Sequence, residues 1–528
     1  MAFMSKNHSL DLTEGSIPKR LMQFFFPLLF GMLFQQFYNT VDAIVIGNYE
    51  GDYALGAVGG STATIINLII GVVTGLSSGS SVVLSQLFGA KDRERMSRTV
   101  HTVLCFYFLV GAALTLFGWF ITPAALRLVN TPAEIMPLST IYMRVYFLGS
   151  IPLLIYNIAA GILRAVGDSE HPLYFLIISC VLNIALNMLF VAWLRMGVAG
   201  VALGTVIAEL ASAILAMRVI MRSGESYAFR FSRMEIHWPS LWRTLRIGIP
   251  SGIQSSMFSV SNMIIQTAVN GLGPLVVAGW TTQSKLCGVF WMATNAFNLS
   301  ISAFAGQCFG AGKYDRLKKS VRVGLLLNGG IGFLISGALH LWGRPAARLF
   351  TQDPAVVEVC YRVILILAPA HLTYAVIDVL AGTLRGVGET FRPTMIIVIG
   401  ICLVRILWVS FVVPRWPGLD GIAMSYPVSW LLTMGAMIVL YYKTKWLEHA
   451  RRLGGVKGEN ANSFSPFSRE RWKKRRGYGI ILKKGGNSHE QQVCRYPNGK
   501  ESLGGFCRRI SGPEQIYLFC FQGKKGRF

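Results

Sequence analysis

Charged side chains are scarce in this sequence. Only 14% of its 528 residues are Asp, Glu, Lys or Arg, whereas 53% are hydrophobic. A soluble globular domain carries about a quarter of its residues as charged ones. The shortage of charge therefore excludes an ordinary soluble domain and predicts a protein that crosses the membrane several times.

Acidic residues are the scarcer of the two charged classes. The chain has 25 Asp and Glu against 50 Lys and Arg, a formal net charge of +25. Such a balance can indicate nucleic-acid binding. Here, however, the segment 451–528 alone holds 18 Lys and Arg against 5 Asp and Glu. Much of the remaining excess lies in short loops on one side of the predicted membrane segments, so we expect no nucleic-acid partner.

Motifs of enzymes and of ATP-driven machines are also missing. The nine cysteines form no CxxC pair and no cluster with histidine, and we expect those in apolar stretches to be inert buried thiols. There is no HExxH, and no Gly-x-Ser-x-Gly with a partner base and acid. Residues 310–314 fail as a phosphate loop because the first glycine is absent and Tyr314 follows the lysine. The sequence predicts neither an enzyme nor a cofactor, and transport would be secondary.

What the sequence does contain is twelve apolar runs of about 20 residues, the length that crosses a bilayer as a helix. They are predicted near 21–47, 54–80, 99–121, 136–163, 173–194, 198–220, 244–270, 275–304, 321–342, 359–383, 394–413 and 420–442. No signal-peptide cleavage site follows the first run, so we expect it to be retained. The predicted domains are a leader at 1–20, a first lobe at 21–220, a linker at 221–243, a second lobe at 244–445 and a basic, disordered tail at 446–528.

Lys and Arg are concentrated in alternate loops. The loop with Lys91, Arg93 and Arg95 is basic, whereas the loops at 48–53 and 270–275 contain no Lys or Arg. Positively charged loops remain in the cytoplasm. We therefore expect a monomeric, multi-pass protein of the cytoplasmic membrane, embedded in the lipid bilayer, with both termini and the tail in the cytoplasm.

The second half of the chain repeats the first with a shift of about 221 residues. The matches are 86–90 with 307–311, 164–168 with 385–389, 197–200 with 418–421, and Pro27 and Asn39 with Pro250 and Asn262. A repeat of six helices keeps its orientation in the membrane, so the lobes should be related by a pseudo-twofold axis along the membrane normal. Duplicated hydrophobic proteins of this kind are most often transporters.

On these residues the chain from about Ser9 to Lys445 resembles the multidrug and toxic compound extrusion (MATE) family of efflux transporters. The similarity rests on Pro27 with 39–42 in the first segment, followed in order by 86–90, 163–168 and 197–200, and on the repeats of these motifs in the second lobe. The resemblance implies an all-α polytopic fold of two six-helix lobes in a V around a central cavity. It also implies export of small amphipathic, often cationic, drugs or toxic compounds in exchange for Na+ or H+, by alternating access of the two lobes.

The alternative is a flippase for a lipid-linked saccharide or another lipid, from the wider superfamily that shares this fold. The cavity of such a flippase would be expected to carry several cations for a diphosphate. This sequence offers Lys285 and Arg405, which is why we favour an exporter of a small-molecule substrate.

Polar residues within the membrane segments are the main functional candidates, because a buried charge is costly unless it is paired or hydrated. At ~1.5 Å per residue, Asp42, Asn187 and Thr205 lie roughly 8, 12 and 10 Å below the outer ends of their helices, and Asn183 lies one turn deeper than Asn187. Carboxylate, amide and hydroxyl oxygens suit Na+, and a desolvated carboxylate suits a proton. These four residues are the predicted cation-coupling site, with Asp42 a possible Na+ ligand.

The family resemblance places a cation site of some members at the same four positions. Those members carry Asp where this chain has Asn187. The single remaining carboxylate can neutralise one monovalent cation, which leaves the choice between Na+ and H+ open. In the alternative interpretation, Asn183 and Asn187 only bridge helices.

Several further residues are candidates with more than one interpretation. Glu209, one turn inward of Thr205, is either a second proton site or the partner of Arg405 or Lys285. Lys285 either forms an ion pair with Glu209 or Asp378 or is a moving part. Asp378 occupies the repeat position of Asn157, which favours a structural role.

The last predicted groups are a cavity wall and two loop motifs. The substrate cavity is expected to be lined by Gln35, Tyr38, Asn39 and Lys285. Arg164 with Asp168 and Arg385 with Glu389 are expected to cap helix ends and hold the loops that follow them, with a gate or hinge as the alternative role.

Overall fold

The computed structural model describes residues 10–443, residue 448, and residues 507–512 and 515–520. The chain divides into two units, Met1–Gly458 and Glu459–Phe528. In the second unit, strand β1 (Cys507–Gly512) pairs with strand β2 (Gln515–Cys520) in an antiparallel hairpin. The rest of the predicted tail, apart from residue 448, lies outside the described residues.

The first unit is helical, and each predicted membrane segment falls on one helix or on two to four consecutive helical elements. The first lobe contains α1 (Ile17–Gly59), α2 (Ser61–Gly89), α3 (Arg93–Leu128), α4 (Met136–Leu148), α5 (Ser150–Ala165), α6 (Glu170–Asn187), a π-helical segment (Met188–Trp193) and α7 (Gly197–Arg222). A short 3₁₀ turn, Phe231–Arg233, lies in the linker.

The second lobe repeats this order. It contains α8 (Trp238–Asn270), α9 (Pro274–Gly310), α10 (Tyr314–Arg348), α11 (Pro354–Leu367), α12 (His371–Gly386), α13 (Phe391–Ile397), a π-helical segment (Val398–Leu403), α14 (Val404–Leu407), a second π-helical segment (Trp408–Val412), α15 (Leu419–Ala423) and α16 (Ser425–Lys443).

The fourth predicted segment of each lobe is bent. Helices α4 and α5 meet at 49°, and α11 and α12 meet at 53°. Gly149 and Pro152 lie at the first bend and Pro369 at the second, and proline interrupts the backbone hydrogen bonds of a helix. The sequence analysis expected one continuous segment at each place, so the bends are a correction to it.

Helix α1 also differs from the prediction. We expected it to end near Gly47, but it continues to Gly59 with a break at Gly51, where φ is 80°. Glycine adopts this backbone conformation without the steric penalty of a side chain. At ~1.5 Å per residue, Asp42 therefore lies roughly 14 Å below the break, deeper than the sequence suggested.

Among the described residues, eight helices are long and apolar enough to cross a membrane, or ten when each bent pair is taken as one span. The two predicted segments that fail this test are α8 and α9, which are long but carry many Ser, Thr, Asn and Gln residues. Both helices pack against α2. Protein neighbours, rather than lipid, therefore cover much of their surface.

Glycines allow the two lobes to approach each other where α2 crosses α8. A methyl group on Gly75 would overlap the backbone of Gly252, and one on Gly79 would overlap that of Gly248. Small residues at a helix crossing let two backbones pack closely in a membrane protein. This crossing is the main contact between the lobes.

The first helix of each lobe also packs into the core of the other lobe. Phe24 and Phe25 of α1 are buried with Phe297 and Phe304 of α9, and the rings of Phe25 and Phe297 are 5.9 Å apart. In the reciprocal contact, Ile247 of α8 joins the hydrophobic core of the first lobe. One end of the first helix of each lobe is thus buried against residues of the other lobe.

Candidate functional site

The four predicted coupling residues come together inside the first lobe. Asn187 of α6 donates a hydrogen bond through Nδ2 to the carboxylate of Asp42 on α1. The same Nδ2 donates to Asn183 Oδ1 at 3.3 Å, and Asn183 Nδ2 donates to Thr205 Oγ1 of α7 at 3.3 Å. Thr205 is also within hydrogen-bonding reach of Asp42. All four side chains are buried, and we call them the Asp42 site.

A glycine makes room for this arrangement. A Cβ atom on Gly204 would lie 2.5 Å from Asn187 Oδ1, so only glycine at this position lets α7 approach Asn187 so closely. That amide oxygen is buried and has no hydrogen-bond partner. The π-helical segment Met188–Trp193 begins directly after Asn187, and π-helical turns are frequent at functional sites.

The chemistry of the Asp42 site is that of a cation acceptor. It contains one carboxylate and an amide oxygen without a donor, and it has a second amide oxygen and a hydroxyl within one network. An uncompensated carboxylate within a bilayer costs several kcal/mol, roughly 2.5–3.5 kcal/mol on insertion scales. A proton on Asp42 or a Na+ ion among these oxygens would remove that cost.

Glu209 lies one turn along α7 from Thr205 and is partly buried. Within the described part of the chain it forms no ion pair, so the structure shows neither the pair with Arg405 nor the pair with Lys285 that the sequence left open. Instead its carboxylate is within electrostatic range of four tyrosine side chains, those of Tyr38, Tyr142, Tyr146 and Tyr156.

The predicted cavity residues are only partly brought together. Tyr38 is buried beside Asp42 and Glu209 and is hydrogen-bonded to Gln35. Gln35 and Asn39 are exposed on α1. Lys285 is exposed on α9, and its recorded contact is with Phe350, whose ring centroid lies 5.8 Å from Nζ. It pairs with neither Glu209 nor Asp378.

The interior of the second lobe contains a buried cation, Arg405, which the sequence analysis considered as a partner of Glu209 and as a cavity cation of the alternative flippase. Arg405 is 2% exposed, its Nε donates to Ser429 Oγ at 3.1 Å, and its guanidinium carbon lies 3.8 Å from the ring centroid of Tyr426. It is also 5.5 Å from the centroid of Trp430. Two π-helical segments flank α14, on which Arg405 lies. In the sequence, the feature that could have singled out Arg405 as a functional candidate was its position within an apolar run.

An aromatic cluster continues from Arg405 through the second lobe. Trp430 is 5.6 Å from Tyr374, and Tyr374 is 4.8 Å from Trp291, measured between ring centroids. His371 stacks on Phe290 at 3.9 Å. These residues lie on α9, α12 and α16, and spacing along the chain cannot show that their rings meet.

The second acid, Asp378, belongs to the frame of the second lobe. Asn298 Nδ2 of α9 donates to Asp378 Oδ1 at 2.8 Å and to its backbone carbonyl at 2.9 Å. Arg385 Nη1 donates to Asn298 Oδ1 at 3.1 Å. The equivalent contact in the first lobe is the bond from Ser77 Oγ to the carbonyl of Asn157. Asp378 therefore helps to join α12 to α9.

The two lobes are hydrogen-bonded to each other at the end of the molecule where α2 and α9 finish, which we call the basic end. Gln86 Nε2 of the first lobe donates to the carbonyl of Gly386 at 2.8 Å, and Gln307 Nε2 of the second lobe donates to the carbonyl of Ala165 at 2.9 Å. These two bonds are equivalent under the repeat. We call them the glutamine latch.

Further groups at the basic end hold the latch residues. Arg243 Nη2 donates to Gln86 Oε1 at 2.7 Å. Burial, with the positive charge of Arg95 acting in the same direction, lowers the pKa of Arg243 to about 10, so it remains charged at neutral pH. The backbone N–H of Leu12, in the predicted leader, donates to Gln307 Oε1 at 3.0 Å. Arg316 donates to the carbonyl of Leu12.

The loop motifs at 164–168 and 385–389 contain the backbone carbonyls that accept the hydrogen bonds of the glutamine latch. Asp168 accepts hydrogen bonds from the backbone N–H and from Nδ1 of His171, and so caps the start of α6. Glu389 forms an ion pair with Arg392 at 3.7 Å. Arg164 is half-buried beside Tyr156. Each motif thus holds a loop, while its backbone carbonyl receives a glutamine from the other lobe.

The MatE family profile matches residues 27–189 and 250–409, one match in each lobe and together more than half of the chain. The chain belongs to the MatE family. The Asp42 site and the glutamine latch thus lie in a member of a family of membrane transporters, and the chain is a multi-pass membrane protein with a small-molecule substrate.

Several relatives are similar to this MatE protein over nearly their whole length. The probable multidrug resistance protein YoeA of Bacillus subtilis is 28% identical over 445 residues, which cover 82% of this chain and 95% of the relative. The FAD transporter of Shewanella oneidensis is 24% identical, with 82% and 95% covered. The multidrug export protein MepA of Staphylococcus aureus is 22% identical, with 83% and 96% covered.

Solved structures have the same two-lobe fold. A transporter of the MOP superfamily from Pyrococcus furiosus, described as having a binding pocket of reverse polarity, superposes with a TM-score of 0.76 at 20% identity and covers 86% of this MatE chain and 100% of its own. An outward-facing multidrug resistance MATE transporter of the same superfamily gives a TM-score of 0.75 at 20% identity, with 86% and 99% covered.

Proposed function

We propose that this protein exports small amphipathic, often cationic, compounds across the cytoplasmic membrane in exchange for Na+ or H+. The observation that carries the proposal is the Asp42 site, in which the buried carboxylate of Asp42 lies among amide and hydroxyl groups and forms no ion pair within residues 10–443. Curated relatives described as multidrug resistance or export proteins support a drug as the substrate.

The number of carboxylates in the Asp42 site determines how many cations the protein exchanges in each transport cycle. Asp42 is the single carboxylate of the site, so it neutralises one monovalent cation per cycle. Hard oxygen ligands suit Na+, for which Asn187 Oδ1 and Thr205 Oγ1 complete the donor set. A proton would instead bind to the carboxylate itself. In both cases the cation changes which hydrogen bonds Asn187 makes to α1, and this couples the site to the packing of α1 against α6.

The glutamine latch supports alternating access of the two lobes. Loops rich in Lys and Arg remain in the cytoplasm, so in this proposal the basic end and both termini are cytoplasmic. The latch then closes the cytoplasmic side, and the structure corresponds to a state in which the cavity opens outward. Transport requires the bonds from Gln86 and Gln307 to break and re-form in each cycle.

The test is dye efflux from proteoliposomes that contain the purified protein as a monomer, driven by an imposed Na+ gradient or an imposed pH gradient. The wild-type protein should respond to one of the two gradients. Asp42→Asn keeps the size and hydrogen bonding of the side chain but removes its charge and its titration. It should reduce gradient-driven efflux by at least about tenfold, within the usual range of coupling free energies.

The matched control is Asp315→Asn, an exposed carboxylate at the start of α10, which should transport normally. Normal gradient-driven efflux in Asp42→Asn would show that coupling resides elsewhere. Efflux that responds to neither gradient in the wild-type protein would reject secondary export itself.

A further inference from the structure

The second lobe presents a permanent positive charge with no acidic partner. Arg405 lies seven residues before Val412, the end of its helical segment, and thus roughly 10 Å below that end at ~1.5 Å per residue. The acids nearest to it in sequence, Asp420 and Glu389, pair with Arg362 and Arg392. Asp378 is bound to Asn298, and Glu209 forms no ion pair within the described residues. A guanidinium cannot lose its proton in a protein. Its charge is therefore balanced here only by aromatic faces and one hydroxyl.

The contacts of Arg405 leave most of its donors free. The group has five N–H donors, and within residues 10–443 its hydrogen bond is the one from Nε to Ser429. Tyr426 covers one face of the guanidinium. A guanidinium held in this way offers its edge as a planar fork, the geometry that binds a carboxylate or a phosphate through two parallel hydrogen bonds.

A second donor without a partner lies in the same cluster. The indole Nε1 of Trp430, whose ring is adjacent to Arg405, is buried and has no hydrogen-bond partner. Indole nitrogen can only donate, and buried donors normally find an acceptor. An acceptor-rich ligand would satisfy both Trp430 and Arg405.

Aromatic rings extend from this point towards accessible space. Trp430 itself is fully buried, but Tyr374, which contacts it, is partly exposed, and Trp291 is 36% exposed. Flat rings next to a cationic fork favour a ligand in which a planar aromatic group carries an anionic group.

We propose that Arg405, Ser429, Trp430 and Tyr426 form a binding site for the anionic group of a planar aromatic carboxylate or phosphate ester, whose ring packs against Tyr374 and Trp291. The site extends the proposed export function, on which it rests for the direction of transport, to substrates with an anionic group. It lies in the second lobe, apart from the Asp42 site.

The repeat supports a separate role for this site. A shift of 221 residues places Tyr426 at the position of Thr205 and Trp430 at that of Glu209. The indole N–H donor of Trp430 thus stands where the first lobe has the carboxylate acceptor of Glu209, and the charged Arg405 stands where the first lobe has the apolar Ile184. The duplicated positions of the two lobes therefore differ in their chemistry.

The experiment measures equilibrium binding in lipid nanodiscs, without any gradient. The probes are 1-naphthoate and 1-naphthyl phosphate, with the neutral 1-naphthylmethanol as the matched compound and empty nanodiscs to subtract partition into lipid. We expect at least one anion to bind about tenfold more tightly than the alcohol, as a charge-assisted fork predicts. The tighter of the two anions identifies a carboxylate or a phosphate as the preferred group.

Three variants test whether the preference for an anion over the alcohol depends on Arg405. Arg405→Gln should remove it, so that anion and alcohol bind equally. Arg405→Lys keeps the charge but loses the fork, and should lose at least about threefold of the anion affinity. Arg415→Gln, an exposed arginine near the outer end of the same segment, should behave as the wild type.

The outcomes separate this proposal from the proposed function. Asp42→Asn should bind the anions normally, because the assay contains no coupling step, so a failure of coupled export would not change this result. No preference for either anion in the wild type, or a full preference in Arg405→Gln, overturns the proposal. If Arg405→Gln does not fold, the test rests on the wild-type preference and on the anion affinity of Arg405→Lys. An Arg405→Lys protein that binds the anions as tightly as the wild type does would then overturn the proposal.

Discussion

In the first lobe a carboxylate lies among amides and a hydroxyl, whereas in the second lobe a guanidinium lies among aromatic rings. The residues at the repeat positions of Asp42, Asn187 and Thr205 are Ile265, Trp408 and Tyr426, at shifts of 223, 221 and 221. None of the three can replace a carboxylate as the ligand of a cation. The same helical scaffold therefore carries side chains of different chemistry in the two lobes.

The backbone of the two lobes, by contrast, has kept the same conformation at equivalent positions of the repeat. Gly167 and Gly388 both have a φ of 88°, and they close the same loop in each half. The bends between α4 and α5 and between α11 and α12 differ by only a few degrees. The latch bonds from Gln86 and Gln307 are reciprocal. Positions that set the backbone have kept the symmetry of the repeat, and positions that face the lobe interior have lost it.

The largest effect in this comparison is expected from giving the first lobe a residue of the second. Gly204 corresponds to Ser425 in the repeat, and Gly204→Ser would place a Cβ 2.5 Å from Asn187 Oδ1. Since Asn187 must shift, gradient-driven dye efflux should fall by at least about tenfold, as for loss of a coupling residue. The reverse change, Ser425→Gly, should leave coupling unchanged. Coupled efflux at the wild-type rate in Gly204→Ser would contradict the assigned geometry of the Asp42 site.

The glutamine latch gives the next largest effect. Gln86→Ala and Gln307→Ala should each favour opening of the cytoplasmic side, because each removes a cross-lobe hydrogen bond worth about 1 kcal/mol, roughly a fivefold shift in population. Accessibility of a cysteine at the buried position Ala165 to a thiol reagent in inside-out vesicles reports the opening. The control is Gln266→Ala, which removes a half-buried glutamine near the opposite end of α8 that donates to Asn270 within the same lobe. Equal accessibility in all four proteins would mean that the latch does not hold the lobes together.

The smallest effect is expected at Glu209. It shares a helix with the Asp42 site, but its repeat counterpart is Trp430, and its carboxylate faces tyrosines, not the amide network. Glu209→Gln should weaken export of a cationic dye by about threefold, as expected when one solvent-screened ion pair of roughly 0.2–1 kcal/mol is lost. It should leave export of a neutral dye unchanged, and a complete loss of coupling in this variant would move the coupling site one turn deeper.

Hydropathy and the repeat predicted the order and approximate positions of the helices, because both can be read along the chain without knowledge of the fold. They did not predict the bends between α4 and α5 and between α11 and α12. The depth estimate also grouped Asp42, Asn183, Asn187 and Thr205, and these four do meet. A depth estimate does not give the rotation of a helix about its axis. For that reason the sequence left open whether Glu209 pairs with Arg405, and the structure shows that it does not.

Other features depend on contacts between distant parts of the chain. Gln86 and Gly386 are 300 residues apart, and a repeated motif alone does not reveal that one copy binds the other lobe. The break at Gly51 depends on a positive φ angle, which glycine permits but which the composition of the segment does not predict. The aromatic cluster around Trp430 brings together α9, α12 and α16, whose arrangement has to be known before their rings can be seen to meet.

The central claim, that cation coupling resides only in the first lobe, is tested most directly by counting cations at equilibrium. Binding of radioactive sodium, and proton release on addition of Na+ or dye, can be measured on the purified protein without transport. The account predicts about one cation per molecule for the wild type, since one carboxylate neutralises one charge. It predicts none for Asp42→Asn and an unchanged count for Asp378→Asn. A full count in Asp42→Asn, or a loss in Asp378→Asn alone, would contradict it.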